Sequence, residues 1–215
     1  MTKKVAILDY GSGNLFSIKK ACQNFVSEIE VISDDRSGSE FTHLILPGVG
    51  TYQDAMDQIL QRNLQKVIYD QCGKGVLLLG ICVGMQVMTT WGHENGKHKG
   101  LDLISGQTEK ISVKSATSTN RIPNIGWSAV TKTKEVDDEL FSGLENGLDA
   151  YFAHSYEVLP NKLERVVAVT QFDNRPLVAA IKRENIYGVQ FHPEKSGEDG
   201  LLLLKSFLEI KSKLE

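Results

Sequence analysis

The chain has 215 residues with 24 basic and 27 acidic side chains, and a net charge of −3 argues against general binding to nucleic acids or membrane surfaces. Its three cysteines, Cys22, Cys72 and Cys82, are sparse and odd in number, which argues against a disulfide framework and predicts a cytoplasmic protein. No apolar stretch approaches 18 residues, so no membrane-spanning helix is expected.

The first half of the chain alternates strand-like and helix-like segments. Short apolar runs predict buried strands at 4–10, 28–32, 43–48 and 75–80. Helices are predicted after them at 14–25, at 51–72 in two pieces, and at 83–90. This alternation predicts a parallel sheet that is covered by helices on both faces.

The second half of the chain is richer in strand-like runs. They lie at 103–113, 126–131, 165–172, 177–183 and 186–190. A polar loop is predicted at 112–121 and a closing helix at 197–215. Without a repeat or a linker, we expect one α/β domain over residues 1–215. Its central, mostly parallel sheet is flanked by helices and extended by antiparallel strands.

A cysteine lies between two glycines in GICVG (80–84), after a buried strand and before a predicted helix. This context predicts a nucleophile elbow, in which a sharp turn lifts the reactive side chain to the edge of the sheet. The following helix N-terminus would favour the thiolate, and the Val83 N–H could face a developing oxyanion. The alternative is that Cys82 is a small buried hydrophobic residue.

A cysteine nucleophile needs a base, and His192 is the candidate. It lies after a predicted strand in YGVQFHPEKSG (187–197), where His192 and Glu194 project to the same side of an extended backbone. The carboxylate can then bind one imidazole nitrogen and leave the other for the Cys82 thiol. A His-x-Glu pattern alone is usually structural or solvated, but its combination with the elbow is much less expected by chance.

Together, GICVGMQ (80–86) and YGVQFHPEKS (187–196) resemble the signature of triad-type class I glutamine amidotransferases. Three further segments are similar to the glutaminase subunits of imidazole glycerol phosphate synthases: DYGSGNL (9–15), PGVG (47–50) and YFAHSY (151–156). The resemblance covers essentially the whole chain. It implies the class I glutamine amidotransferase fold and an enzyme that hydrolyses glutamine to glutamate and ammonia.

The resemblance also implies the roles of individual residues. Cys82 would attack the glutamine side-chain amide, His192 would shuttle the proton, and Glu194 would orient His192. The implied oxyanion hole uses backbone N–H groups of Val83 and of Val49 or Gly50, in a loop that reorients for activity in similar enzymes. The implied substrate-binding residues are Gln86, Glu94, His154, Ser155 and Tyr156.

The resemblance implies one protein partner and no cofactor. Similar subunits dock onto a (β/α)8-barrel synthase, which receives the ammonia and makes imidazole glycerol phosphate and AICAR in histidine biosynthesis. The implied interface or gate residues are Asn14, Trp127, Tyr151 and Lys195. No set of cysteines and histidines has the spacing of metal ligands, so no metal site is expected.

Two segments depart from the family pattern and leave the partner open. The sequence has PNIGW at 123–127 where the family commonly has Pro-His-Met-Gly-Trp, and MTTWGHENG at 88–96 lacks the usual acidic run. The alternative is a paralogous subunit that supplies ammonia for amidine formation on bacterial surface-polysaccharide sugars. A regulatory subunit with a vestigial site and a cysteine peptidase on the same fold remain further alternatives.

Overall fold

The computed structural model describes residues 3–34, 40–113, 121–133 and 139–212. The strands within these ranges are β1 (Lys4–Leu8), β2 (Glu28–Ile32), β3 (His43–Leu46), β4 (Leu77–Ile81), β5 (Thr89–Gly92), β6 (His98–Lys99), β7 (Ile104–Lys110), β8 (Asn124–Lys132), β9 (Leu148–His154), β10 (Tyr156–Pro160), β11 (Val166–Phe172), β12 (Arg175–Arg183) and β13 (Ile186–Val189). The helices are α1 (Leu15–Cys22), α2 (Tyr52–Gln61), α3 (Leu64–Gly73), α4 (Val83–Gln86) and α5 (Gly197–Glu209).

The large sheet has a parallel half and an antiparallel half. Its strand order is β2-β1-β3-β4-β13-β12-β11-β8-β9, with parallel pairing from β2 to β13 and antiparallel pairing from β13 to β9. In the register of β4 on β13, Ile81 pairs with Val189. Because parallel strands end at the same edge, the residues that follow β4 and β13 become neighbours although they are far apart in sequence.

A smaller sheet of four strands lies beyond the elbow, in the order β10-β7-β5-β6. Its outer pairs are antiparallel, and β5 runs parallel to β7. Helix α4 contacts β5 and β10, so this sheet adjoins the segment that follows β4. The smaller sheet therefore supplies one side of the site that is described below.

The core is formed by the apolar strands of the parallel half and the inner faces of the helices. Strands β3 and β4 are buried along their whole length, as expected for strands covered on both faces. Helix α5 buries Leu203, Leu204, Phe207 and Leu208 and packs with α1, whereas α2 packs with α3 and α4. His43 of β3 lies inside this core, with its ring at the edge of Phe207.

The predicted α/β fold is confirmed, with the parallel part restricted to five adjacent strands. The helix predicted at 83–90 is wrong in its length, because α4 ends at Gln86 and β5 begins at Thr89. The sequence patterns do not predict the four strands β5, β6, β9 and β10. Most of the loop predicted at 112–121 lies outside the described residues.

Candidate active site

Cys82 lies at the turn between β4 and α4 and is 2% exposed. Its φ of +53° is in the left-handed region, an unusual conformation for a side chain that is not glycine. Helix α4 is only four residues long, which weakens the predicted electrostatic contribution of a helix N-terminus. The Val83 N–H is at the first helical position and therefore has no intrahelical acceptor.

The two glycines around Cys82 are required by close packing and not by their own φ angles. A Cβ at Gly84 would overlap the carbonyl oxygen of Leu46 at the end of β3. A Cβ at Gly80 would lie 2.6 Å from the Met88 side chain and 2.8 Å from the carbonyl carbon of Gly84. Glycine at both positions therefore lets the elbow turn tightly against the neighbouring strand.

His192 and Glu194 lie on the segment that follows β13 and are both buried. The His192 Nδ1 and Glu194 Oε1 atoms are 3.0 Å apart, as the sequence pattern predicted. Ser196 fixes this segment, because its hydroxyl donates to the His192 carbonyl oxygen and accepts from the Tyr151 N–H. The imidazole is therefore held by its own turn and by β9.

The surroundings of His192 favour its protonated form. Burial lowers the pKa of the imidazole, but hydrogen bonds to the side chains of Cys82 and Glu194, and the charges of these groups, raise it to about 9. The contact with Cys82 places the second ring nitrogen toward the thiol, because Nδ1 binds Glu194. Such a pair can exist as a thiolate and an imidazolium, which is the reactive form of a cysteine nucleophile.

The PGVG segment after β3 lies across the elbow from His192. The Tyr10 hydroxyl donates to the Pro47 carbonyl oxygen at 2.7 Å, and the Ser12 hydroxyl donates to the carbonyl oxygen of Val49. Gly50 has a φ of +94°, which only glycine adopts without strain. Tyr10 and Ser12 belong to the DYGSGNL motif, so this motif holds the segment that was predicted to form the oxyanion hole.

One cavity of about 310 Å³ collects most of the predicted site residues. Those that line it are Cys82, His192, Val49, Gly50, Val83, Gln86, Glu94, His154, Ser155, Tyr156 and Lys195. Glu194 lies behind His192, whereas Asn14, Trp127 and Tyr151 do not line the cavity. The volume suits a small polar molecule and is at the lower end of the range for ligand pockets.

Gln86, which lines the cavity, and Gln190 form a buried pair of amides. The Gln86 Nε2 atom lies 3.2 Å from Gln190 Oε1 and 3.3 Å from the Tyr156 carbonyl oxygen. The sequence analysis does not predict a role for Gln190. The one indication in the sequence is that a polar residue ends an apolar run shortly before His192.

Glu94 lies in the hairpin between β5 and β6 and reaches across to α2. Its Oε2 atom accepts a hydrogen bond from the Tyr52 N–H at 2.7 Å. Tyr52 is the first residue of α2, where backbone N–H groups lack intrahelical acceptors and a carboxylate is favoured. One carboxylate oxygen is therefore occupied, and the side chain still lines the cavity.

His154 is buried at the end of β9 as a neutral imidazole. Burial lowers its pKa to about 4, against a smaller upward effect of the hydrogen bond to Tyr156. The His154 Nδ1 atom lies 2.7 Å from the Tyr156 carbonyl oxygen, so Nδ1 carries the proton and donates. The other nitrogen then accepts from the Asn124 amide at 3.1 Å. Asn124 therefore anchors the backbone of the Ser155–Tyr156 wall.

The predicted interface residues divide between an aromatic cluster and a helix cap. Trp127 is 59% exposed, and its ring packs edge-on against Tyr151 with centroids 6.3 Å apart. The Lys195 Nζ atom lies 5.9 Å from the Tyr151 ring centroid. Asn14 caps helix α1 by accepting from the Ser17 N–H. The cluster stands at the rim of the cavity, beside the exposed Ile125.

Within the described ranges, no group of three or more His, Cys, Asp or Glu residues could hold a metal ion. In the same part of the chain, no helix has the length and apolar character needed to cross a membrane.

The sequence is similar to curated relatives along nearly its whole length. The family model described as glutamine amidotransferase class-I matches residues 6–210. Imidazole glycerol phosphate synthase subunit HisH 1 of Legionella pneumophila (strain Paris) is 38% identical, over 96% of this chain and 99% of its own. The HisH subunit of Chlorobaculum tepidum is 39% identical, over 96% of this chain and 100% of its own.

Solved structures share the fold at lower identity. PurLQS from Thermotoga maritima superposes with a TM-score of 0.74 at 19% identity, over 97% of this chain and 98% of that chain. A glutamine amidotransferase from the same organism superposes with a TM-score of 0.60 at 16% identity, over 90% and 77%. The family match and the relatives above 30% identity show that this chain belongs to the class-I glutamine amidotransferase family.

Proposed function

We propose that this chain is the glutaminase subunit of an imidazole glycerol phosphate synthase. One observation carries the proposal: Cys82 and His192 face the same cavity, with Glu194 behind the imidazole. Relatives that are 38% to 39% identical along almost the whole chain bear the name of this subunit. The geometry of the site supports the proposed reaction, and the names of the relatives support the proposed pathway.

In the first half of the reaction, the Cys82 thiolate attacks the side-chain amide carbon of glutamine. The new S–C bond moves negative charge to the amide oxygen, which accepts hydrogen bonds donated by the N–H groups of Val83 and of Val49 or Gly50. The His192 imidazolium gives its proton to the leaving nitrogen, and the C–N bond breaks to release ammonia. A glutamyl thioester remains on the enzyme.

In the second half, water replaces ammonia beside the imidazole. His192, now neutral, takes a proton from the water as the oxygen attacks the thioester carbon. The S–C bond breaks, which restores the thiolate beside the imidazolium. The new γ-carboxylic acid loses its proton to solvent and leaves as glutamate. Throughout, Glu194 holds Nδ1 of His192 so that the second nitrogen stays directed at the reacting atoms.

The cavity has groups that fit both charged groups on the α-carbon of glutamine. Glu94 contributes a carboxylate, and we propose that it attracts the α-ammonium group. The backbone of His154, Ser155 and Tyr156 forms the wall that would receive the α-carboxylate. Gln86 supports this wall, because its amide donates to the Tyr156 carbonyl oxygen.

The ammonia must reach a second protein before water protonates it, since ammonium is not a nucleophile. We propose a (β/α)8-barrel synthase subunit in the cytoplasm that uses the ammonia to make imidazole glycerol phosphate and AICAR. Ile125 and Trp127 project from β8 and are 62% and 59% exposed, beside the cavity. An exposed apolar pair at this rim fits a protein interface. The surface-sugar alternative has no support in the names of the relatives above.

The experiment is complementation of a bacterium that lacks its own histidine-pathway glutaminase subunit. The chain is expressed with the barrel subunit from its own genome, without histidine and with low ammonium. Growth is expected with the wild type and with the control Cys72→Ala, whose cysteine lies on α3 outside the cavity. Cys82→Ala should abolish growth but leave the barrel subunit active with added ammonium salt.

Two results would contradict the proposed function. Growth with Cys82→Ala at low ammonium would contradict the assignment of the nucleophile. Absence of growth with wild-type protein that hydrolyses glutamine beside some other barrel partner would contradict the assignment to histidine biosynthesis.

A further inference from the structure

The side chain of Gln190 is fully buried beside the sulfur of Cys82. Gln190 directly follows β13, and the pairing of Val189 with Ile81 brings it next to the elbow. The Cys82 N–H donates to the Val189 carbonyl oxygen at 2.8 Å, which ties the elbow to this strand end. The Gln190 Nε2 atom then lies 3.7 Å from Cys82 Sγ, within hydrogen-bond distance of sulfur.

The orientation of the Gln190 amide is fixed by Gln86. The Gln86 Nε2 atom has two hydrogens and two oxygen acceptors, Gln190 Oε1 and the carbonyl oxygen of Tyr156. A flipped Gln190 amide would set NH2 against NH2 and direct its oxygen at the sulfur, so both hydrogen bonds would be lost. The network therefore assigns an N–H of Gln190 to Cys82 Sγ.

We propose that Gln190 is a further catalytic residue, whose side-chain N–H donates a hydrogen bond to the Cys82 thiolate and stabilises it relative to the thiol. This inference rests on the role of Cys82 in the proposed function. Hydrogen bonds to a charged sulfur are stronger than those to a neutral one, so the donor favours the ionised nucleophile. Gln190 and His192 together give the sulfur two donors.

The second donor also sets the direction of the sulfur. With two of its lone pairs accepting hydrogen bonds from the N–H groups of Gln190 and His192, Sγ keeps a remaining lone pair for the substrate carbon in the cavity. Stabilising a thiolate reduces its intrinsic nucleophilicity, but the Brønsted slope of about 0.4–0.5 makes this loss smaller than the gain in ionised fraction. Gln190 is therefore expected to increase the rate of attack at neutral pH.

Other ionisable groups face the same sulfur and must stay unchanged in the test. They are His192 with Glu194 behind it, Tyr10 at the end of β1, and Glu94, His154 and Lys195 around the cavity. None of them is altered when Gln190 is substituted. A difference between the pH profiles of wild type and variant therefore measures the effect of the Gln190 amide on Cys82.

The test measures alkylation of Cys82 by iodoacetamide between pH 5 and 10, with the labelled peptide quantified by mass spectrometry. The variants are Gln190→Met, which keeps the length and volume but has no donor, and Gln190→Glu, which keeps an acceptor for Gln86 but directs a carboxylate at Sγ. Gln71→Met is the matched control, because it removes a buried amide from α3 outside the cavity.

The midpoint of the alkylation profile should move up by about one pH unit in Gln190→Met and further in Gln190→Glu, with no movement in Gln71→Met. The kcat for glutamine should fall about tenfold or more, whereas KM should change less than about threefold because Gln190 does not line the cavity. If Gln190→Met fails to fold, the profile of Gln190→Glu decides.

Profiles that superpose on the wild type would overturn the proposal. In that case, a fall in kcat without a moved midpoint would show that Gln190 acts only by supporting Gln86. Alkylation needs neither glutamine nor a partner subunit, so the result stays interpretable if complementation fails and the proposed pathway is wrong.

Discussion

The charge of His192 depends on two neighbours, Cys82 and Glu194, which contact different nitrogens of its ring. Glu194 binds Nδ1 at 3.0 Å, and its carboxylate is completely buried. The Oε2 atom of this carboxylate has no hydrogen-bond partner among the described residues. An ion that is buried and incompletely hydrogen-bonded is costly unless a counter-charge is close, and the His192 imidazolium is that counter-charge.

Substitution Glu194→Gln should lower the pKa of His192 from about 9 toward its ordinary value. The amide oxygen can still accept from Nδ1, but the negative charge that favours the imidazolium is gone. We expect a decrease of about one unit or more, and a fall in kcat of about ten- to a hundredfold with KM nearly unchanged. The measurement is an NMR titration of the His192 ring proton.

His43 serves as the internal control in that titration, because its core site in β3 is remote from Glu194 and burial lowers its pKa to about 4. A His192 resonance that titrates alike in both proteins would show that Glu194 orients the ring without affecting its charge.

At the scale of elements, the elbow depends on the distance between α4 and the end of β3. Gly84→Ala places a methyl group on the carbonyl oxygen of Leu46, in a region with no room to relax. We expect a loss of about 3 kcal/mol in unfolding free energy and a fall in glutaminase activity, since Cys82 would be displaced. Urea unfolding and the rate of glutamine hydrolysis with the partner subunit measure the two effects.

Gly73→Ala is the matched control for that substitution. Gly73 is the last residue of α3, and nothing lies within 4 Å of an added Cβ. Alanine there should be neutral or stabilise the protein by up to about 1 kcal/mol, because alanine favours helices more than glycine does. Equal stability of the Gly84 and Gly73 variants would contradict the packing account of the elbow.

The sequence correctly predicts the elements that depend on local hydrophobic periodicity and on glycine positions. Strand β2 has the predicted bounds, and the helical segment at 51–72 divides into α2 and α3 as expected. The elbow was also predictable, because GICVG combines a strand end, a small-residue turn and a cysteine. In these cases the hydrophobic period and the glycines carry enough information without any distant contact.

The smaller sheet could not be predicted in the same way. Strand β5 is stabilised by its parallel pairing with β7, and β7 by antiparallel pairing with β10, about 50 residues later in the sequence. The helical spacing of residues 83–90 continues into β5, so the local pattern favoured a longer α4. Pairing between distant strands outweighed the local preference.

The contacts of Glu94 and Gln190 could not be predicted either, because they also depend on parts of the chain that are distant in sequence. Glu94 meets the Tyr52 N–H because the β5–β6 hairpin of the smaller sheet reaches the start of α2. Gln190 meets Cys82 because the parallel strands β4 and β13 end at the same edge of the large sheet. A resemblance can name Glu94 as a substrate residue, but the acceptor role at the start of α2 needs the folded chain. Gln190 has no local signal beyond one polar residue at the end of an apolar strand.

The whole molecule buries three histidines with opposite preferences for the proton. Burial lowers the pKa of His43 and of His154 to about 4, whereas Cys82 and Glu194 overcome burial and raise that of His192 to about 9. His43 and His154 therefore stabilise the fold fully above pH 6.5 and lose this contribution as the pH falls. His192 stabilises it fully below pH 6.5 and loses this contribution as the pH rises through 9.

We expect the unfolding free energy to be greatest near neutral pH and to fall on both sides. From pH 7 to 5, a histidine whose pKa changes from 6.5 in the unfolded chain to about 4 in the fold loses about 2 kcal/mol of stabilisation. In His43→Gln, the acid-side loss should therefore be smaller than in the wild type by about this amount. Urea unfolding at pH 7 and pH 5 measures the difference.

His98→Gln is the control for that measurement, because His98 is only half-buried in β6 on the smaller sheet. This variant should keep the acid-side loss of the wild type. His43→Gln is expected to be less stable than the wild type at pH 7, since glutamine cannot repeat the edge contact of the ring with Phe207. The acid-side loss is the difference in unfolding free energy between pH 7 and pH 5 within one variant. It therefore still measures the effect of histidine protonation when the stability at pH 7 changes. An unchanged loss in His43→Gln would show that His43 is protonated in the folded protein at pH 5, with a counter-charge in the core.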